Sequence, residues 1–153
     1  MEKYVFLKSS DSVRYFPDNK PYNFRVHLEN NIDLRGYWKI GISEFFTLAS
    51  PKKIVMDKTT SKPISTFQNK PIFVYSNICD FSNVGGEEQP LLRVIQADPS
   101  YGWNDKFYPV YYIPLRTHNL SDIHFYLKDD RNSPATFIDS DVWMTLHLIR
   151  YPF

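Results

Sequence analysis

One cysteine, five glycines and no long apolar run set the first limits on this 153-residue chain. Cys79 has no second cysteine to pair with, so no intramolecular disulfide ties the fold to an oxidising compartment. Its neighbours are Ile78 and Asp80, with no cation beside them, and it reads as a small buried residue rather than a reactive thiol. A membrane helix needs ~20 consecutive apolar residues, and none is present. The N-terminal MEKYVFLKSS holds only a short apolar patch, too short for the core of a signal peptide. The protein is therefore expected inside the cell, and the sequon Asn119-Leu120-Ser121 reads as a chance triplet. A formal net charge of +1 excludes the global basic field that drives nucleic-acid binding.

Catalytic patterns are equally scarce. There is no phosphate-binding loop, nucleophile elbow or HExxH sequence. His27, His118, His124 and His147 have no cysteine or carboxylate at a recognisable ligand spacing, so neither a metal site nor a cofactor is expected. His27, His124 and His147 each fall on the face opposite their strand's apolar set. Asp129-Asp130 and Asp139-Ser140-Asp141 read as solvated turns rather than acid–base pairs. No catalytic residue is assigned.

What the chain has is rings: 12 Phe, 11 Tyr and 3 Trp, with 11 prolines. These favour short strands and stiff loops. The longest strand-like stretch is Gly36 to Leu48, GYWKIGISEFFTL. Trp38, Ile40 and Ile42 recur at period two until Glu44, where the alternation breaks; a bulge there, or cover on both faces, would account for it. Further strands are predicted at Tyr4 to Leu7, Asn23 to Leu28, Pro71 to Ile78, Leu91 to Gln96, Phe107 to Leu115, Asp122 to Lys128 and Val142 to Ile149. Pro109 and Pro114 mark Phe107 to Leu115 as an edge. Asn30-Asn31 reads as a turn, Asn83 to Gly86 as another, and Asp129 to Pro134 as a hairpin turn. No amphipathic helix of ten residues emerges. The prediction is an all-β chain of eight or nine strands forming one domain over 1–153, a sandwich or barrel for which the single jelly-roll β-sandwich of about eight antiparallel strands is the closest count.

Two stretches are candidate surfaces. Ala49 to Ser61 is a polar excursion with one weak strand around Ile54-Val55-Met56. With its surroundings it carries Lys52, Lys53, Lys58 and Lys62, either as a loop kept soluble or as one facing nucleic acid or an acidic partner. The aromatic loop holding Tyr101 and Trp103, with Phe107 and Tyr108 after it, reads equally as an interface or as rings capping the open end of the sandwich.

The order of several phrases resembles a known family. Leu7-Lys8-Ser9-Ser10 is followed by Tyr15-Phe16-Pro17-Asp18-Asn19, Phe24-Arg25-Val26-His27-Leu28, Ile32-Asp33-Leu34 and Gly36 to Glu44. Then come Val84-Gly85, Pro90-Leu91-Leu92-Arg93, Asp122 to Leu127 and Thr145 to Arg150. Together they resemble the minor capsid (penton) proteins of Polinton/Maverick transposons and adintoviruses, from near Tyr4 to near Arg150. The chain departs from the pattern at Asn132, where a glycine is expected, and over Lys52 to Lys62, which does not align. The resemblance implies a virion protein without enzymatic activity, assembled inside the host cell. It would form homopentamers at the fivefold vertices, beside a double-jelly-roll major capsid protein. Tyr101, Trp103, Phe107 and Tyr108 then become candidate subunit or capsid contacts, and the lysine loop a candidate contact to packaged DNA or a neighbouring capsomer. A carbohydrate- or protein-binding jelly roll is the alternative reading; a cupin-like enzyme would need its histidines turned inward.

Overall fold

A computed structural model describes residues 1–67 and 70–151, and every element in it is a strand or a turn. In chain order the strands are β1 (Glu2–Lys8), β2 (Asn23–Asp33), β3 (Trp38–Thr47), β4 (Lys52–Met56), β5 (Pro63–Phe67), β6 (Ile72–Ser76), β7 (Ser82–Val84), β8 (Glu87–Gln89), β9 (Leu91–Ile95), β10 (Asp105–Lys106), β11 (Ile113–Pro114), β12 (Asn119–Lys128) and β13 (Val142–Arg150). One sheet runs β1-β13-β3, with β10 and β11 both paired to the far side of β3. The other runs β2-β12-β6-β9. Counting β10 and β11 as one interrupted strand, eight antiparallel strands cross back and forth between two four-stranded sheets. This is a single jelly roll.

Alternation builds the core. Val142, Met144, Leu146 and Leu148 of β13 are buried, as are Ile123, Phe125 and Leu127 of β12 and Phe24 and Val26 of β2. Phe24 and Phe125 stack with ring centroids 5.3 Å apart. In β3 the break near Glu44 is a bulge. Thr145 faces Glu44 while Leu146 faces Ile42, leaving Ser43 as the extra residue. The bulge reverses the phase: Trp38, Ile40 and Ile42 are buried before it, Phe45 and Thr47 after it, and Phe46 and Leu48 turn out. Gly41 is forced by a close approach, because a Cβ there would lie 2.5 Å from the Tyr111 carbonyl oxygen. The chain between β10 and β11 arches over that point.

Four local expectations change. The strand predicted over Phe107 to Leu115 is strand only at β11, Ile113–Pro114, with the short β10 just before the stretch. Asn30-Asn31 does not turn; β2 continues through it to Asp33, and its pairing with β12 slips between Leu120 and Asp122. The weak strand at 52–56 is β4, paired along its whole length with β5 as a hairpin. Asp129 to Pro134 closes on itself, with Asp129 N–H donating to the Ser133 carbonyl at 2.8 Å. It does not join neighbouring strands, because β12 and β13 lie in different sheets. Asn132 takes the left-handed conformation (φ 61°) that a glycine would supply more freely.

Because every pairing is antiparallel, four connections gather at one end of the sandwich: β1 to β2, β3 to β6, β9 to β10 and β12 to β13. They are tied together there. Ser9 and Ser10 hydroxyls donate to the two Asp141 carboxylate oxygens, and Gly102 lies against the Pro51 ring. The hairpin β4–β5 leaves from this end.

Candidate assembly interface

The four aromatic candidates do not form one surface. Trp103 is fully buried, its indole N–H donating to the Lys70 carbonyl at 2.9 Å and its ring 5.2 Å from that of Phe137. It cannot meet a partner without unfolding the end of the sandwich, so its place is in the core. Phe107 is half-buried, with the Arg93 guanidinium 3.8 Å above its ring. Only Tyr101 and Tyr108 (99% exposed) offer their rings to solvent. Sequence could not separate these four, because the partners of Trp103 lie more than thirty residues away on either side.

Lys52, Lys53, Lys58 and Lys62 are all exposed, but they do not stand in a polar loop. They line the β4–β5 ribbon, and the residues between them are apolar and exposed: Ile54 (72%), Val55, Met56 and, on β5, Ile64. Val55 pairs with Ile64, and Ile54 with Ser65. Neither strand has a further neighbour among the described residues. Asp57 shapes the tip, its carboxylate accepting from the Thr59 N–H and the Thr60 hydroxyl; these bonds hold it below the usual carboxylate range. An isolated two-stranded hairpin is marginally stable in water, and one with apolar side chains on both faces has little reason to stand alone.

A second apolar surface, not foreseen from the sequence, covers the outer face of the β1-β13-β3 sheet. β1 alternates Tyr4 and Phe6 outward with Val5 and Leu7 inward, opposite His147 and Thr145 of β13. The bulge adds Phe46, whose ring stacks on Trp143 at 4.6 Å, nearly parallel. Phe6 remains 75% exposed. Between these rings lies a groove of about 380 Å³, whose lining includes Phe6, Phe46, Trp143, Glu44 and Asp11. The signal was present in the alternation of Tyr4 to Leu7; what hid it was the phase of Phe46, which only the bulge decides.

The histidines stay apart. His147 does point to the outer face, yet it is nearly buried there, stacked on Tyr4 at 4.4 Å. Its ring nitrogens meet the Tyr112 hydroxyl at 2.7 Å and Glu2 at 2.6 Å. His27 pairs with Asp122 at 2.7 Å, and His124 Nε2 lies 2.6 Å from Asn23 Oδ1. Burial, with Arg25 nearby, lowers the His124 pKa. Among the described residues no group of three or more His, Cys, Asp or Glu could hold a metal ion, and no helix is long and apolar enough to cross a membrane. Cys79 is buried, and desolvation pushes its thiol up to about 11.

The outer face of the other sheet differs in kind. Tyr75 and Tyr126 stack at 5.1 Å, with the Lys128 ammonium within 6 Å of both rings. The β7–β8 hairpin lies beside them: Val84, Gly85 and Glu87 share a cavity lining with Tyr75 and Phe73.

No family model matches the chain, and no curated protein matches it in sequence. Among solved structures it is similar to the mavirus penton protein, whose crystal structure is matched over 99% of this chain and 100% of that one. The TM-score is 0.55 at 6% identity, so the likeness is one of fold, carried from end to end with almost no sequence in common.

Proposed function

We infer that this chain is a penton, or minor capsid, protein: a non-enzymatic virion subunit of a Polinton-like virus or of an endogenous copy of one. As one domain over 1–153 it closes into pentamers at the fivefold vertices of an icosahedral shell. The observation that carries this reading is the eight-strand jelly-roll order, matched over the full length of a penton protein. The ordered phrases from Leu7 to Arg150 support it independently. Such a subunit needs two different complementary patches, because a fivefold ring is joined head to tail. The ribbon and the aromatic outer face supply two unlike apolar surfaces. Tyr101 and Tyr108 remain available for contact with a double-jelly-roll major capsid protein. Apolar residues interleaved with Lys52, Lys53, Lys58 and Lys62 favour a protein partner over packaged DNA, since phosphate contacts gain nothing from exposed Ile54 or Met56.

Light scattering coupled to size exclusion tests the reading. Five copies of the 18.1 kDa chain give a particle of about 90 kDa. Co-assembly with the major capsid protein from the same genome should then place it at the vertices. A chain that neither forms pentamers nor enters shells, but retains sugars on a glycan array, would return the reading to a binding module. Such a module would have to work without Trp103 as its stacking platform.

A further inference from the structure

We propose that the β4–β5 ribbon is the arm by which one subunit grips the next, seating its Ile54–Met56 strand in the groove over Phe6, Phe46 and Trp143 of a second copy of this chain. The inference rests on the penton reading and names the contact that closes its ring.

Three observations lead to it. The ribbon and the groove are both apolar, exposed and, among the described residues, unpartnered, and a monomer left alone would show both to water. Their charges are complementary: the ribbon carries Lys52, Lys53, Lys58 and Lys62 against Asp57, while the groove's lining carries Glu44 and Asp11 against Lys8. Their placement also fits a ring. The groove lies where β1 and β3 end and β13 begins, which is the end of the sandwich from which the ribbon springs. Rotation about an axis near that end carries the ribbon of one copy towards the groove of the next. The contact is between unlike patches, so it leads around a ring rather than stopping at a symmetric dimer.

Two variants test this in the full chain. Ile54→Asp spoils the ribbon and leaves the groove; Phe6→Asp spoils the groove and leaves the ribbon. Both positions are exposed, so melting temperatures should stay near wild type; should Phe6→Asp melt early, Phe6→Ser replaces it. Alone, each variant is expected to fall fivefold in mass, from pentamer to monomer. Mixed at high concentration, they should form a 1:1 pair that goes no further, because one intact ribbon then meets one intact groove and the remaining ribbon and groove are both spoiled. A variant that stays pentameric, or a mixture that yields no pair, overturns the contact. Wild type pentameric beside either of those results leaves the penton reading standing; wild type that neither forms pentamers nor enters shells removes both.

Discussion

Two hairpins leave the sandwich, and they have been given opposite surfaces. β7–β8 is made of SNV and EEQ around Gly85-Gly86 and lies beside Tyr75 and Phe73. β4–β5 is made of KKIVM and PISTF and puts Ile54, Val55, Met56 and Ile64 into solvent. Hairpins of similar make can thus end as a finished surface or as an unfinished one. The difference lies in where the apolar side chains go. Polar β7–β8 has little left to bury, whereas β4–β5 has strand-forming residues with no third strand to receive them among the described residues.

The largest effect is expected at the root of the ribbon. Trp103 bonds to Lys70, just beyond β5, and Trp103→Ala removes that bond and a buried ring together. Truncation of a buried aromatic costs ~3–5 kcal/mol. Denaturant titration should show that loss, and assembly should fail with it. If the monomer is barely destabilised, the ribbon is not rooted in the core.

On the β7–β8 side the turn is the weak point. Gly85 and Gly86 both have positive φ (60° and 89°), with the Gly86 N–H donating to Asn83 Oδ1. Gly86→Val should cost ~1–2 kcal/mol by denaturant titration, the price of a left-handed β-branched residue. If β4–β5 is the arm and β7–β8 is not, the proposed pentamer should persist; a fall in mass would erase the distinction between the two.

Val55→Asp on the ribbon reverses that pattern. Stability should change by no more than ~0.5 kcal/mol, as for most exposed sites, while light scattering should report loss of the proposed pentamer. A stability loss as large as that of Trp103→Ala would mean that the ribbon packs on its own chain.

The smallest effect belongs to the polar sheet face and is one of pH. The folded-state pKa of His124 is below its ordinary 6.5, chiefly through desolvation. The native state then binds fewer protons than the unfolded one in the window just below 6.5. The stability tied to neutral His124 is complete above 6.5 and is lost as pH falls through the folded-state pKa. His124→Gln should flatten the slope of stability against pH in that window. An unchanged slope would assign it to other groups.

Much of the sandwich was legible in the sequence. β3, β12 and β13 carry period-two patterns that stayed true to the core, and the broken pattern at Glu44 marked a bulge one residue away, at Ser43. Asn132 stands where the family resemblance leads a glycine to be expected, and it takes the positive φ in that glycine's place. What escaped depended on distant partners. Trp103 sits among polar neighbours and looks like a surface ring until Lys70 and Phe137 close over it. Asn30-Asn31 carries a turn signal that pairing with β12 overrides. The second half of the ribbon, PISTF, has too little alternation to declare itself as a strand, and gains its definition only from β4.

The position of β13 governs the order in which the molecule can be built. Lys8 pairs with Trp143 and Glu2 with Ile149, so β1 has no strand to lie against until β13 exists. β3 waits for the same strand and is joined meanwhile only by the short β10 and β11. The β6–β9 pair, in contrast, is close in the chain and needs no late partner. On a ribosome β1, β2 and β3 therefore emerge as strands whose main partners, β12 and β13, come last, the state most exposed to mispairing with other nascent chains. The last strand to appear zips the first to the third, and only then does the outer face carrying Phe6, Phe46 and Trp143 come into being. If that face receives a neighbour's ribbon, as proposed, a truncated or unfinished chain has no groove to offer one.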